Sequence, residues 1–432
     1  MSLAEPREPE RIADIPKIRE LLRQTEALLV FKKALPFLKP IMWLLRIDGS
    51  QIEMSLHNAE QLHADIEELR TLPDAFNDLL ADRGWIIYDH LSLEAVKKAV
   101  ALARVNGLEA AEAHLVEYFS DEEIGRQLRR MQGVKAFRSR MRLALLALED
   151  HKAQRFHASI PVVLALTDGL VSEISENQRG LFAEGVDLRA WDSISAHDKG
   201  LNTLARILQK TRRKTTTEPI ELPYRHGILH GRDLGYDNRL VATKAWAALF
   251  AVRDWAGLAE GKQLDAPTPS PSPGLRETLQ RWQGLQEQKK QLAAWRPRIV
   301  TVGKDVPRHG SPDDYPEGSP ERHIVTFLLA WTRGNYGHMA RDAGTPWKGT
   351  SAPSPAEMRA TFHDKPLVRF ELVSIEDQAA AVSLVTVKRY FDAQASQADD
   401  AATYRLIRVN CDGDMVVAAA PGHRWAIINW NW

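Results

Sequence analysis

A spacer of alternating proline and small polar residues separates this 432-residue chain into two parts that must fold differently. From Asp265 to Gly274, prolines alternate with alanine, threonine and serine. Such a segment stays extended and semi-rigid, and its prolines exclude both a helix interior and the middle of a sheet. Helical periodicity dominates before the spacer, whereas β-branched and aromatic runs dominate near the C-terminus. The chain is therefore predicted to be mainly α-helical, with a smaller α+β domain after the spacer.

The order of these patterns predicts four regions. Residues 1–80 form an N-terminal helical region, and residues 81–262 form a helical bundle without strand-like alternation. Residues 263–320 are a proline-rich linker with one amphipathic helix. Residues 321–432 are an accessory α+β domain with a curved antiparallel sheet.

Two finer predictions concern single elements. Ser120 precedes three acidic residues, which predicts an N-terminal cap for one long helix that continues to about Lys152. Strand composition and intervening turns predict strands at residues 367–373, 380–390, 403–409, 415–420 and 424–430.

Charge and cysteine content limit the protein class. Basic and acidic residues number 57 each, so the chain does not attract nucleic acid through its net charge. Cys411 is the only cysteine, which excludes an internal disulfide and a zinc site made of cysteines. The N-terminus lacks the basic segment of a signal peptide, and lysines and prolines interrupt the most apolar window, residues 27–45. We therefore expect a cytoplasmic protein without a membrane span.

The segment from Pro223 to Gly231 carries the residue types of a phosphate-cutting site. Arg225 keeps its charge at any working pH and presents a planar set of donors to phosphate oxygens. His226 and His230 are imidazoles, which accept and return protons near neutrality. Such groups can cleave RNA without a metal. An imidazole takes the proton of a ribose 2′-hydroxyl, the oxygen attacks the phosphorus, and the guanidinium stabilises the phosphoryl charge. The products are a 2′,3′-cyclic phosphate and a 5′-hydroxyl.

Spacing alone does not identify this site. An arginine separated from a histidine by four to six residues also occurs at Arg83/His90 and at Arg333/His338. Arg225 differs because a polar side chain follows it directly and because it precedes a long helical segment. The alternative interpretation is that Arg225 and its histidine are only a hydrogen-bonding pair at a helix start.

The segment resembles the HEPN family on Arg225, His226 and His230. Ribonuclease members of that family carry R-x4-6-H, often with Asn, Asp or His after the arginine, at the start of their last core helix. Asp237-Asn238 predicts a capped helix start after the motif, and residues 159–170 resemble the earlier core helix. The resemblance thus extends over roughly residues 81–260.

Within residues 159–170, the resemblance directs Asp168 toward the site. The alternative interpretation is a polar residue at a helix end, and Asp168 is not counted among the predicted catalytic residues.

The resemblance implies a metal-independent endoribonuclease without a cofactor. Arg225 would stabilise the scissile phosphate, His230 would exchange protons, and His226 would orient the pair or the substrate. RNA is the implied substrate, and a homodimer would place two Arg/His sets around one strand. Family members often belong to toxin–antitoxin or antiphage defence systems, so we expect a toxin or defence effector with an antitoxin or regulatory protein as partner.

The motif and the basic residues near it also permit other ligands. His226 and His230 form an H-x-x-x-H pair that could supply two zinc ligands, but neither a cysteine nor an obvious third ligand accompanies them, so no metal is predicted. The residues predicted to bind the RNA backbone are Lys210, Arg212, Arg213 and Lys214. A second basic cluster lies within residues 126–142. For both clusters, a solvated protein surface is the alternative interpretation.

Two other functions stay open. The first is a non-catalytic HEPN-type module that binds RNA or a protein. The second places the function in residues 321–432, whose element order resembles the cone-shaped fold of scytalone dehydratase and ketosteroid isomerase and implies a ligand-sensing pocket. Deletion of residues 275–432 tests the second function, because chemistry in the C-terminal region predicts complete loss of activity, whereas a sensor role predicts altered regulation with cleavage retained.

Overall fold

The computed structural model describes residues 71–175, 180–182, 188, 193–196, 198–210, 214–260, 292–344, 352–392, 399–410, 415–417 and 423–430. The chain divides into two compact units. The first comprises Met1–Leu128 and Leu143–Thr268, and the second comprises Arg129–Arg142 and Pro269–Trp432. Helices dominate the first unit, and the second combines helices with a four-stranded antiparallel sheet, as predicted. The helices predicted before residue 71, the spacer and most of the amphipathic helix after it lie outside the described residues.

The elements before the spacer are numbered along the chain. Residues 71–80 are helical and lead into the short 3-10 helix Ala81–Arg83. The α-helices are α1 (Leu93–Asn106), α2 (Leu108–Tyr118), α3 (Asp121–Arg130), α4 (Lys135–Arg138), α5 (Met141–Lys152), α6 (Phe156–Ile174), α7 (Thr203–Leu208), α8 (Arg225–Leu229) and α9 (Arg239–Glu260). Two short strands are β1 (Thr216–Pro219) and β2 (Asp233–Gly235).

A buried helix forms the centre of the first unit. α9 is buried on all sides over most of its length, as expected of a helix that is apolar around its circumference, and it packs along α6. Aromatic rings continue this core. Trp246 stacks on Phe250 with ring centroids 5.8 Å apart, and Phe119 stacks on both Phe250 and Trp85. Burial of each such ring stabilises the fold by about 2–3 kcal/mol.

Among the described residues, α6 is the single helix long and apolar enough to cross a membrane by length and composition. This is a weak indication, because the core helix of a folded domain meets the same criterion. In α6, the side chains of Ile160, Val163 and Leu164 are fully buried within the protein.

The long helix predicted from Ser120 to about Lys152 is wrong. α3 ends at Arg130, a 3-10 turn follows, and the extended backbone of Val134 separates it from α4. The physical reason is tertiary: residues Arg129–Arg142 belong to the second unit, so the chain leaves the first unit here and returns with α5. The predicted cap is present, since Ser120 Oγ accepts the amide of Glu123 at 3.3 Å.

The prediction of an all-helical region before the spacer is also incomplete. β1 and β2 pair as a two-stranded parallel ladder. Strands of three and four residues are too short to show the alternation that identifies a strand in a sequence.

In the part of the second unit that follows the spacer, helices precede a sheet. The helices are α10 (Pro320–Thr332), α11 (Tyr336–Asp342) and α12 (Pro355–Phe362), and the strands are β3 (Leu367–Ala379), β4 (Val382–Phe391), β5 (Asp400–Val409) and β6 (Arg424–Ile427). The strands pair antiparallel in the order β3-β4-β5-β6, and register irregularities in β3 are typical of a bent strand. Four predicted strands are confirmed. Of the fifth, residues 415–417 are described, and Met415 forms an isolated bridge to Val409.

The core of the second unit lies between the sheet and α10. Trp331 of α10 packs edge-on against Phe362, with ring centroids 4.5 Å apart. Arg138 of α4 joins the same unit: its Nη1 lies 2.9 Å from Glu357 Oε1, and its Nε donates to the carbonyl of Gln132. A segment far away in sequence therefore completes this unit.

Candidate functional site

The motif segment folds as a short helix with a defined end. α8 ends in a Schellman motif, in which Gly231 takes the left-handed conformation with a φ of 65°. The amide of Arg232 donates to the carbonyl of Gly227 at 2.7 Å. His230 is the capping residue just before the glycine. His226 and His230 therefore lie one turn apart on one side of the helix.

Two short strands hold both ends of this segment. β1 precedes α8 and β2 follows it, and the amide of Ile220 donates to the carbonyl of Gly235 at 3.1 Å. A Cβ at position 235 would collide with the carbonyl of Glu218, so the close approach requires glycine. Asn238 caps α9 through the amide of Val241 and also donates to the carbonyl of Ile220, both at 3.0 Å. The start of the core helix therefore fixes the position of α8.

The motif departs from the family pattern in one respect. The resemblance to HEPN proteins places the arginine at the start of the last core helix before the spacer, whereas α9 begins only at Arg239. Arg225 is instead the first residue of its own five-residue helix. The predicted capped helix start at Asp237-Asn238 is confirmed, with Asn238 as the cap of α9.

The guanidinium of Arg225 contacts a carboxylate and an imidazole. Its Nη2 donates to Asp168 Oδ2 at 3.2 Å, and its Nη1 lies 3.5 Å from His226 Nδ1. The side chains of Arg225 and Asp168 are 27 % and 25 % exposed. An arginine has five N–H donors, and Nε of Arg225 is buried without a hydrogen-bond partner among the described residues. The group is held at one place and, with 27 % of the side chain exposed, has N–H donors beyond the two in these contacts.

Asp168 is fixed by the chain that passes over it. Its Oδ1 accepts the amide of Phe182 at 3.2 Å. A Cβ at Gly180 would collide with the same carboxylate. Asp168 is not among the predicted catalytic residues, yet it is the side chain that holds Arg225. No signal in the sequence singles it out, since α6 carries a second carboxylate, Glu173.

The two imidazoles of the motif lie parallel to each other. Their ring centroids are 5.8 Å apart, and their planes differ by 6°. Burial, followed by the charges of Arg225 and His230, lowers the pKa of His226, while Asp168 opposes this shift. His226 is partly buried, whereas His230 is exposed. The structure brings the three predicted catalytic residues together but gives the two imidazoles different surroundings.

The residues predicted to bind RNA are Lys210, Arg212, Arg213 and Lys214. The two lysines are exposed, and the two arginines lie outside the described residues. The first lysine directly follows Gln209, whose side-chain amide donates to the carbonyl of Leu181 at 3.4 Å. Leu181 precedes Phe182, the residue that holds Asp168. Contacts through Gln209, Leu181 and Phe182 therefore link the start of the predicted basic segment to Asp168.

The other basic cluster is engaged in ion pairs within the protein. Arg126 pairs with Glu123, and the largely buried Arg138 pairs with Glu357. These contacts favour a structural role for that cluster.

The two other arginine–histidine spacings have different environments. Arg83 forms ion pairs with glutamates, and His90 Nδ1 lies 2.8 Å from Asp254 Oδ1. Arg333 and His338 are exposed and belong to the end of α10 and to α11.

Metal ligands are the remaining question at this site. Within the described ranges, no group of three or more His, Cys, Asp or Glu side chains is arranged to hold a metal ion.

Comparisons with known proteins give no relative. A scan of protein-family models finds no match, and neither does a search of curated proteins or of solved structures. Function must therefore be argued from the site itself.

Proposed function

We propose that this chain is a metal-independent endoribonuclease of the HEPN type. The observation that carries the proposal is the contact set of Arg225. Asp168 holds its guanidinium, and 27 % of the Arg225 side chain stays exposed. A guanidinium fixed in this way suits a phosphoryl oxygen, because arginine N–H donors match the oxygens of a phosphate. Two imidazoles lie beside this guanidinium, and His230 supplies the group for proton transfer.

The proposed reaction needs no group beyond these side chains. His230 accepts the proton of the ribose 2′-hydroxyl, the 2′-oxygen attacks the phosphorus, and the bond from phosphorus to the 5′-oxygen breaks. The protonated His230 returns this proton to the 5′-oxygen, which leaves a 5′-hydroxyl and a 2′,3′-cyclic phosphate. Arg225 stabilises the charge that gathers on the phosphoryl oxygens.

The proposal includes a homodimer in which two such sites act on one strand, in a toxin or antiphage defence effector. Large apolar side chains are exposed beside the motif: Leu229 is 41 % exposed and Leu234 is 49 % exposed. In such a dimer, these are the apolar side chains of the motif segment that a second copy would cover.

The test is an RNA cleavage assay with purified protein and a chelator. We expect cutting that survives chelation and is lost in both Arg225→Ala and His230→Ala, with products ending in a cyclic phosphate. Arg333→Ala and His338→Ala are matched controls, since they remove exposed residues of the same types and spacing and should cut normally. Unchanged cutting in the first two variants refutes the site, and RNA binding without cutting supports the non-catalytic alternative.

To test whether the C-terminal region acts as a ligand sensor, the deletion of residues 275–432 must be combined with a second change. Removal of residues 275–432 also removes Glu357, which leaves the largely buried Arg138 without its carboxylate. The deletion should therefore be combined with Arg138→Gln. Cleavage that persists in this variant places the chemistry before the spacer, whereas loss of cleavage with helical circular dichroism retained favours chemistry in the C-terminal region.

A further inference from the structure

We infer that His226 serves the RNA phosphate as a neutral hydrogen-bond donor through Nε2, in a tautomer fixed by Arg225, and not as a proton-transfer group. The role toward RNA rests on the proposed ribonuclease function. The tautomer does not, so the two can be tested separately.

The contact between Arg225 and His226 sets the position of the ring proton. Nη1 of Arg225 lies 3.5 Å from Nδ1 of His226. An arginine only donates hydrogen bonds and stays protonated in proteins. Nδ1 must therefore be the acceptor, which puts the ring proton of the neutral imidazole on Nε2. A doubly protonated ring would point an N–H group at the N–H group of the guanidinium.

The charged groups around His226 also favour the neutral form. Burial lowers the pKa of His226 most, and the charges of Arg225 and His230 lower it further. The opposing carboxylate, Asp168, is already bonded to Arg225 Nη2 and to the amide of Phe182. With Nδ1 occupied and Nε2 protonated, His226 has only a donor to offer.

His230 differs in the property that proton transfer requires. Its ring lies parallel to that of His226 at 5.8 Å, but it is exposed, and the ring has no hydrogen-bond partner among the described residues. Either nitrogen of His230 is therefore available to accept a proton. The two imidazoles therefore have different roles: His226 donates a hydrogen bond to the phosphate, and His230 exchanges protons.

Three substitutions of His226 separate a donor from a base. Glutamine carries an amide donor near the position of Nε2 and does not titrate, alanine carries no donor, and glutamate carries only acceptors. We expect His226→Gln to lose no more than about tenfold in cleavage rate, and His226→Ala and His226→Glu to lose about 10²- to 10³-fold. The pH–rate profile of His226→Gln should keep every limb of the wild-type profile. A glutamine variant as slow as alanine, or one that lacks a limb, overturns the inference.

A spectroscopic measurement tests the tautomer without RNA. In full-length protein labelled with ¹⁵N-histidine, the signal lost in His226→Gln identifies His226. We expect it to report the Nε2–H tautomer near neutral pH. An Nδ1–H or doubly protonated ring overturns the inference. If the Nε2–H tautomer is found but the wild type does not cut RNA, the ribonuclease proposal fails and the assigned tautomer stands.

Discussion

Two segments of the first unit carry an arginine followed by a histidine at similar spacing, and their surroundings are opposite. Glu109, Glu112 and Glu221 all form ion pairs with the guanidinium of Arg83. Glu112 also pairs with Lys244, so each charged group of this network has a partner of opposite charge. The guanidinium of Arg225 has one carboxylate and retains a buried donor without a partner among the described residues.

The histidines differ in the same way. His90 shares the buried carboxylate of Asp254 with Arg253, at 2.8 Å and 2.6 Å from the same oxygen. Burial raises the pKa of Asp254, but the hydrogen bond from His90 and the charge of Arg253 more than offset it, so the pKa is lowered. His230 has no such acceptor among the described residues. We conclude that an arginine–histidine motif indicates a functional site only where its hydrogen-bond donors and acceptors are not already used within the protein.

The largest expected effect is on catalysis at the Arg225 site. Arg225→Ala should lower chelator-resistant cleavage about 10³- to 10⁴-fold, because it removes the group that stabilises the phosphoryl charge. Its free energy of unfolding should change by no more than about 1 kcal/mol, since the ion pair with Asp168 is partly exposed. Single-turnover rates and urea denaturation measure the two. His90→Ala should show the reverse pattern, and a large rate loss there would remove the distinction between the segments.

The second largest expected effect is on stability, at the ion-pair network of Arg83, Glu112 and Lys244. Glu112→Ala leaves Lys244, whose side chain is 1 % exposed, without its carboxylate. Because an uncompensated buried charge costs roughly 3–5 kcal/mol, the free energy of unfolding should fall by that order. Glu109→Ala is the matched control, because it removes an exposed partner of Arg83 and should change the urea midpoint far less. Equal shifts in the two variants would contradict the assignment of a buried network.

A third histidine, His151, extends the comparison to a buried ring whose nearest carboxylate, Asp121, lies 4.0 Å from Nε2. Burial lowers the pKa of His151 to about 4 from an ordinary value of 6.5, and its Nδ1 has no hydrogen-bond partner among the described residues. The unfolded chain therefore binds a proton more readily than the folded one. Stability from this group is complete above pH 6.5 and falls by on the order of 3 kcal/mol as the pH drops to about 4. Urea denaturation of His151→Gln across this range should show a flatter dependence than wild type, and parallel curves would contradict it.

A smaller effect should come from the carboxylate that holds Arg225. Asp168→Asn keeps an oxygen for Nη2 but removes the charge, so cleavage should fall about tenfold through a less well-held guanidinium. Asp168→Ala should fall further. A faster Asp168→Asn enzyme would show instead that the carboxylate competes with the RNA phosphate.

The smallest effect concerns the two described lysines of the predicted RNA-binding segment. Lys210→Ala and Lys214→Ala should each weaken RNA binding only a few-fold. Each should also make the plot of log K against log salt concentration shallower by about one unit of slope, because one phosphate fewer is neutralised. Binding measured at several salt concentrations gives this slope. Lys388→Ala, an exposed lysine of the second unit, is the control and should leave the slope unchanged.

Local features of the site were predictable from the sequence, and distant ones were not. Arg225, His226 and His230 meet because they lie within one short helix, and the cap at Asn238 follows from its residue type. Asp168 is 57 residues from Arg225, and nothing in the sequence distinguishes it from other carboxylates as its partner.

The fold shows the same limit. Strands β3 to β6 follow from β-branched and aromatic composition, which depends on the residues themselves. The break between α3 and α5 depends on where Arg129–Arg142 packs, because helical periodicity alone continues through it. Which unit a segment joins is decided by contacts across hundreds of residues, as for Arg138 and Glu357.

That ion pair has a consequence for synthesis on the ribosome. Arg138 is translated 219 residues before Glu357, an interval of roughly 10–45 s at about 5–20 residues per second. In the folded protein, the side chain of Arg138 is only 5 % exposed. Throughout this interval, it has no carboxylate with which to pair. The nascent chain must carry Arg129–Arg142 without the later contacts of the second unit until residue 357 has been made. The second unit is therefore the last part of the protein to be completed, and a chain whose synthesis stops earlier leaves Arg138 without this carboxylate.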